Sequence, residues 1–331
     1  MVTLLWGLES DEPLAMVHEA LQEFGAEVLL LDQRRTLDTE FRLIDERTLT
    51  GSIRYGSRVV QLDHINACYL RPYDARRVPA IQHAGPQSAD WAHALALEDA
   101  LLGWLEVTEA RVINRPSAML PNGSKPYQLQ LVAASQFSIP ETLVTTDPLE
   151  VIAFCECHEL VVYKSVSGVR SRVARLDANA RQRIADVAHC PTQFQAYIPG
   201  RDYRAHVVGE QVFACEVRSQ ADDYRYGSDN SLSISATRLS REVEERCVLM
   251  TNTMALEVAG IDLRCTPKGE WYCFEVNPSP GFSFYEQFCG QGVANAIASL
   301  LASPKNGRSS GRSAFTFRAS RNANPQTFGL R

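Results

Sequence analysis

Glu270-Trp-Tyr-Cys-Phe-Glu-Val-Asn-Pro-Ser-Pro-Gly-Phe-Ser-Phe-Tyr285 begins as a strand and ends in a stop. Side chains alternate along a strand, so Tyr272, Phe274 and Val276 are expected on one face and Cys273, Glu275 and Asn277 on the other. Pro278 and Pro280 end the ladder, because neither has an N–H to give to it. Glu275 and Asn277 therefore share one face at a strand end, with Cα atoms roughly 6.5–7 Å apart. That spacing lets both grip one hard cation through oxygen.

The preceding run, Gly260-Ile-Asp-Leu-Arg-Cys-Thr-Pro-Lys-Gly-Glu-Trp271, reads as the other arm of a hairpin with Pro267-Lys-Gly-Glu270 as its turn. Pairing Thr266 with Trp271 puts Asp262 directly opposite Glu275. Like charges in that position repel, and a divalent cation between them would relieve the repulsion. Asp262, Glu275 and Asn277 offer only oxygen atoms, which suits Mg²⁺ or Mn²⁺ better than zinc. Mg²⁺ with few protein ligands usually holds phosphates as well. The competing account is an edge hairpin with two solvated carboxylates. Asn277, the Pro stops and the register favour the metal site.

Phe274-Glu-Val-Asn-Pro-Ser-Pro-Gly281 with Ala259-Gly-Ile-Asp262 resembles the metal-binding end of the ATP-grasp superfamily, nearest its RimK-like branch. That branch includes enzymes that add glutamate to protein and peptide carboxylates, and the macrocyclases that make graspetides. The resemblance covers roughly residues 110–302 and implies an α/β (α+β) chain. Its implied parts are an N-terminal βαβ pre-ATP-grasp domain over 1–109 and a two-subdomain ATP-grasp fold over 110–302 divided near 194/195, which leaves 303–331 as a tail.

Composition agrees with a globular enzyme: 331 residues, 45% apolar and 22% charged. A formal net charge of −6 argues against general binding to nucleic acid or membranes, and no run approaches a membrane span. Met1–Glu9 lacks a basic n-region and a small-residue cleavage site, so no signal peptide is expected. The nine Cys lack a Cys-x-x-Cys pair, which predicts reduced thiols and a cytoplasmic protein.

Along the chain, residues 2–8, a helix over 12–24 and Glu27–Asp32 read as a βαβ unit. Extended segments fill 41–62, and Ala67–Leu70 is a further strand. It leads into Leu70-Arg-Pro-Tyr-Asp74, where Arg71 could hold a substrate carboxylate, with Tyr73 beside it; a plain Pro72 turn is the alternative. A helix is expected over 88–106, another over about 125–135, one from Ser240 to about Ala259 ended by Gly260, and a last one over 287–302. Asp202–Val208 and Gln211–Glu216 form a hairpin around Gly209-Glu210. The polar segment 219–233 is assigned to the border of a substrate channel. From Ser303 to Arg331 there is no acid and six Lys/Arg, a composition that predicts disorder.

Lys164 stands inside the apolar strand Glu159–Val166 and needs a partner, for which phosphate qualifies. The resemblance implies that Lys125 and Lys164 are the two nucleotide lysines and that Arg204 meets the terminal phosphates. It implies a phosphate loop at Ser167 and Gly168, although Arg170 and Arg172 replace small residues there. Those arginines could reach the γ-phosphate or the acyl phosphate. Thr192–Gly200 matches the hinge, in which Gln195, Ala196, Tyr197 and Ile198 would meet the adenine; Ala196 occupies a place usually held by Glu. His206 reads as a structural histidine.

The implied activity is ATP-dependent joining of a carboxylate to an amine through an acyl phosphate. Lys164 and Arg204 would stabilise the transferring group, with ATP and Mg²⁺ (or Mn²⁺) as cofactors. The expected partners are small-molecule, peptide or protein substrates. Oligomeric state is left open. A kinase-type phosphotransferase and a non-catalytic ATP-binding module are the alternatives.

Overall fold

The computed structural model describes residues 1–45, 48–166, 173–219 and 232–303. The Ser167-Gly168 loop with Arg170 and Arg172, most of the 219–233 segment and the basic tail lie outside the described residues.

Val2–Gly7 (β1) is buried throughout and pairs in parallel with Glu27–Asp32 (β2) across the Glu12–Glu23 helix. Asp11 starts that helix: its carboxylate accepts from Leu14 N–H at 3.2 Å. Thr39–Asp45 (β3), Thr50–Tyr55 (β4) and Arg58–Gln61 (β5) form a small antiparallel sheet. The chain then returns through Ile65–Arg71 (β6) and, after the Ala89–Val107 helix, Arg111–Ile113 (β7). The first sheet, in the order β2-β1-β6-β7, is parallel throughout. Its last strand lies past residue 109.

Two antiparallel sheets follow. Thr142–Thr145 (β8), Val161–Ser165 (β9), Ala174–Arg175 (β10) and Thr192–Ala196 (β11) are ordered β10-β9-β11-β8. Arg201–Val208 (β12), Gln211–Arg218 (β13), Ser233–Thr237 (β14), Val258–Cys265 (β15) and Trp271–Asn277 (β16) are ordered β14-β13-β12-β15-β16. The Arg241–Thr253 helix supplies Val243, Cys247 and Met250 to a core shared with Ala205, Ile261 and Val276. The final helix, Val293–Ala302, packs Ile297 and Leu301 with Leu14, Val17 and Leu21 of the first. Val208, Val258 and Phe282 join the same cluster. The parallel sheet and the five-stranded sheet thus share one core. The mixed α/β class and ATP-grasp architecture expected from sequence are present.

Several expectations fail locally. The helix from Ser240 stops at Thr253 rather than near Ala259, and Ala255 turns the chain at φ 56°. Gly260 does not end a helix; it lies inside β15. The last helix divides into Ser283–Cys289 and Val293–Ala302 at Gly290 and Gly292, with φ 54° and 81°, a left-handed region that glycine enters at little cost.

The opening hairpin shows the most instructive difference. Asp262 does face Glu275, but Cys265, not Thr266, faces Trp271. A bulge between Asp262 and Leu263 makes up the missing residue, because Leu263 pairs with Cys273 and leaves Phe274 extra. Strict alternation breaks there. Cys273 turns into the core with Val276, both 0% exposed, instead of sharing a face with Glu275.

Candidate active site

β12 is the central strand of its sheet, and it carries two buried polar side chains, Arg204 and His206. Arg204 pairs with Asp262 on β15, which pairs with Glu275 on β16. His206 pairs with Gly260, which pairs with Asn277. Two rows therefore cross three strands side by side: Arg204–Asp262–Glu275 and His206–Gly260–Asn277. This juxtaposition depends on the bulge, which restores the register beyond Phe274.

The charges in the first row are matched. Arg204 Nη1 donates to Asp262 Oδ1 at 2.6 Å. Lys125, the first residue of the Lys125–Ala133 helix, donates from Nζ to Glu275 Oε1 at 3.2 Å. The repulsion between the facing carboxylates is thus relieved by the protein's own cations, so repulsion alone does not demand a metal. Both cations are nearly enclosed, whereas the Asp262 and Glu275 side chains keep 28% and 23% exposure. The acids are the reachable partners, and each has a second oxygen to offer.

Three further residues hold this row in place. Gln128 lies one turn after Lys125, and its carboxamide brackets one peptide of β16. Nε2 donates to Val276 C=O at 2.7 Å, and Oε1 accepts from Val276 N–H at 3.1 Å. Asn114 is 2% exposed; it donates to the carbonyls of Val258 and Pro278 and accepts from the N–H groups of Glu257 and Val258. Gly260 makes room for the arginine. A Cβ there would lie 2.6 Å from Arg204 Cζ and 2.7 Å from Pro280 Cβ, closer than real atoms approach.

Arg204 Nε donates to His206 Nε2 at 3.3 Å, so that nitrogen carries no proton. Burial first, and then the adjacent guanidinium, hold the His206 pKa well below its ordinary value. The ring is neutral and meets Tyr285 edge-on at 5.0 Å, and Arg204 lies over the same Tyr285 ring at 5.7 Å. His206 therefore orients Arg204, in keeping with its reading as structural.

Asn277 Oδ1 accepts from Ser279 N–H at 2.9 Å, which starts the Pro-rich stop. Arg71 reaches the same turn. It donates to Ser279 Oγ at 3.1 Å, to Pro280 C=O at 2.9 Å, and to both carboxylate oxygens of Asp11. Its guanidinium ties the first sheet to the Pro-rich turn, a different task from holding a substrate carboxylate. Tyr73 is engaged through its backbone by Gln33 and packs beside Ala75, Val78 and Ile81.

The Thr192–Gly200 segment joins the same hairpin through Arg264, whose importance sequence reasoning missed although it falls in the hairpin's first arm, Gly260–Trp271. Arg264 grips Asp202 at 2.6 and 2.9 Å and donates to Ile198 C=O at 2.8 Å. It also lies over the rings of Tyr197 and Phe274, at 5.5 and 5.2 Å. The Ala196 and Tyr197 N–H groups are bonded to the carbonyls of Glu141 and Leu160. Lys164 is buried on β9 opposite Gln193 of β11, and Gln195 follows on the same face. The other face of this sheet packs Val161, Phe194 and Leu176 into a small core.

Asp262 within β15 and Glu275 and Asn277 near the end of β16 bring an oxygen-only set of donors together on two neighbouring strands. That set fits Mg²⁺, and the nearby thiol, Cys273, faces away into the core. No group of three or more His, Cys, Asp or Glu side chains assembles among the described residues; the third donor here is an amide.

Sheets and site together define an ATP-grasp protein. Comparison with known proteins sharpens this. The RimK-like ATP-grasp domain matches residues 123–301. The beta-citrylglutamate synthase B of Mus musculus is 30% identical over 222 residues, which are 61% of this chain and 56% of the synthase. The match thus spans little more than half the length of that relative. A probable alpha-L-glutamate ligase of Stenotrophomonas maltophilia (strain K279a) is 25% identical over 275 residues, covering 77% of this chain and 93% of the ligase. The structure of the ATP-grasp ligase PsnB with a phosphomimetic variant of its minimal precursor, Mg and ADP superposes with a TM-score of 0.74 at 25% identity, over 90% of this chain and 97% of that one. The chain belongs to the RimK-like ATP-grasp family. Among the described residues, no helix is long and apolar enough to cross a membrane.

Proposed function

We propose that the protein is an ATP-dependent carboxylate–amine ligase. The γ-phosphoryl group of ATP passes to a substrate carboxylate, an amine attacks the resulting acyl phosphate, and phosphate leaves. The observation that carries this reading is the row Arg204–Asp262–Glu275, flanked by Lys125 and Asn277.

Asp262, Glu275 and Asn277 would hold Mg²⁺, which supplies charge neutralisation between adjacent phosphates when bound. Arg204 is preset by Asp262 and His206, so its charge needs little reorganisation when negative charge develops beside it. Lys125 and Lys164 take the nucleotide phosphates in this scheme. Readout of the adenine through the hinge backbone falls to carbonyls and to Ile198 N–H, because the N–H groups of Ala196 and Tyr197 are already bonded. Ser167, Gly168, Arg170 and Arg172 are assigned to phosphate and acyl phosphate on their sequence alone.

The substrates are a small-molecule, peptide or protein carboxylate and an amine, a class in keeping with relatives that are a citrylglutamate synthase, a glutamate ligase and a ligase bound to its precursor. The nine cysteines are all free thiols, which supports a cytoplasmic setting. The division at 109/110 and 194/195 is kept as the proposed domain map, although β7 joins the first sheet from beyond the first boundary and β11 crosses the second.

The test is ADP release with Mg²⁺-ATP across amino acids, dipeptides and peptides, with Glu275→Ala as control. ADP that depends on both carboxylate and amine, and disappears in the variant, is the expected result. ADP released without any amine, alongside a stable phosphorylated product, would make the protein a kinase. Tight ATP binding without turnover on any mixture would make it a binding module.

A further inference from the structure

Four glutamines are buried among the described residues: Gln33, Gln128, Gln193 and Gln195, at 4%, 4%, 1% and 3% exposure. Three of them spend their carboxamides on the protein. Gln33 brackets the backbone of Tyr73, Gln128 brackets Val276, and Gln195 donates to Thr142 Oγ1 at 2.9 Å. Gln193 is the exception. Neither its Oε1 nor its Nε2 has a hydrogen-bond partner among the described residues, although both atoms are enclosed. An unpaired buried amide costs about as much as the hydrogen bonds it lacks. A leucine would fill the same space without that cost.

The position of Gln193 says what the amide is kept for. It lies opposite Lys164 across the β9–β11 pair, on the face away from the Val161–Phe194–Leu176 core. The strand runs on from there through Gln195 into the Ala196–Ile198 hinge. The hinge N–H groups at 196 and 197 are used internally, Ile198 C=O accepts from Arg264, and the Gln195 amide nitrogen is used by Thr142. Beside the Ile198 N–H and the remaining carbonyls, a side chain with both a donor and an acceptor to give adds discrimination between bases along this strand.

We infer that Gln193 is a base-specificity residue, whose carboxamide pairs with the N6–H and N7 edge of adenine and disfavours guanine. A carboxamide offers one acceptor and one donor. Adenine presents a donor at N6 and an acceptor at N7, whereas guanine presents two acceptors, O6 and N7. The inference rests on the reading of this face as the nucleotide side.

The experiment is calorimetric titration of the full chain with Mg²⁺-ADP and Mg²⁺-GDP, in the parent and in Gln193→Met and Gln193→Leu. Both substitutions replace an unpaired polar group with apolar volume, so the melting temperature of the free protein is expected to hold or rise. The parent is expected to prefer ADP, and each variant to narrow the ADP/GDP ratio by roughly 5- to 150-fold, mainly through weaker ADP binding. A role confined to packing would move both affinities together and leave the ratio unchanged, and an unchanged ratio overturns the inference. Equal affinity of the parent for the two nucleotides overturns it as well. No binding of either nucleotide by the folded parent would instead sink the nucleotide reading on which it stands.

Discussion

Arg204 reaches Asp262 on β15, whereas Arg71 reaches the turn after β16 from the other sheet, and in the proposed function their surroundings give them opposite tasks. Arg204 projects from the central strand of the antiparallel sheet toward a carboxylate that is still 28% exposed. Arg71 ends a strand of the parallel sheet and spends its donors on Asp11, Ser279 and Pro280. In sequence Arg71 ends an apolar strand and Arg204 lies within one, and each is a fair candidate for an anion. The difference is what already faces the guanidinium. An arginine surrounded by protein acceptors is a fastener, whereas one lined up with two reachable acids is set for incoming charge.

The strongest way to break this contrast is to disable the acid row itself. Glu275→Gln, or removal of Mg²⁺ with a chelator, is expected to lower turnover on the order of 10³-fold, by loss of charge stabilisation at the phosphates; single-turnover ADP release would show it. Arg204→Met is expected to cost about 10²–10³ in kcat/KM. Arg71→Ala should leave kcat/KM within a few-fold of the parent while lowering stability by about 2–3 kcal/mol, through the acceptors it strands at Asp11, Ser279 and Pro280. If Arg71→Ala matched Arg204→Met in turnover without loss of stability, the contrast would be wrong.

Gly260→Ala sharpens the comparison without touching a charge. The added methyl displaces Arg204 or Pro280, and a shift of about 1 Å is expected to cost roughly 10²-fold in rate. The smallest effect concerns pH. Burial holds the His206 pKa well below 6.5, so the unfolded chain binds more protons than the folded one at acid pH. Stability from the neutral ring is present above about pH 6.5 and is lost as pH falls, by at most about 1.4 kcal/mol per pH unit. His206→Gln should flatten that part of the pH–stability curve, measured by denaturant titration.

Much of this was legible beforehand, for reasons visible in particular residues. The runs Val2–Gly7 and Glu27–Asp32 are apolar, with a helix of the right length between them, and a right-handed crossover then leaves little choice but a parallel pair. Gly209-Glu210 marked its hairpin because only two residues separate the arms. The facing of Asp262 and Glu275 was also anticipated, but by a count that the turn does not obey. The count from Thr266–Trp271 and the true register differ by one residue at the turn, and the bulge at Phe274 brings them back together at the acids. Periodicity cannot reveal a bulge, since it reports side-chain chemistry and not which backbone groups pair.

By itself the sequence determined which groups are available: an oxygen-only triad near a proline stop, a lysine inside the apolar strand Glu159–Val166, and no thiol or imidazole pattern to suggest a different kind of site. Those are properties of residue type and short spacing, and they survive any error of a turn or a cap. Only the tertiary structure decided which of these groups face each other. Gly260 became a clearance for Arg204, Gln128 a clamp on β16, Arg264 the tie from hinge to hairpin, and Arg71 a fastener. Each role is defined by a neighbour more than 50 residues away in the chain. Hydrogen bonds and steric limits act over a few ångströms of space, so only the fold reveals which distant residues become those neighbours.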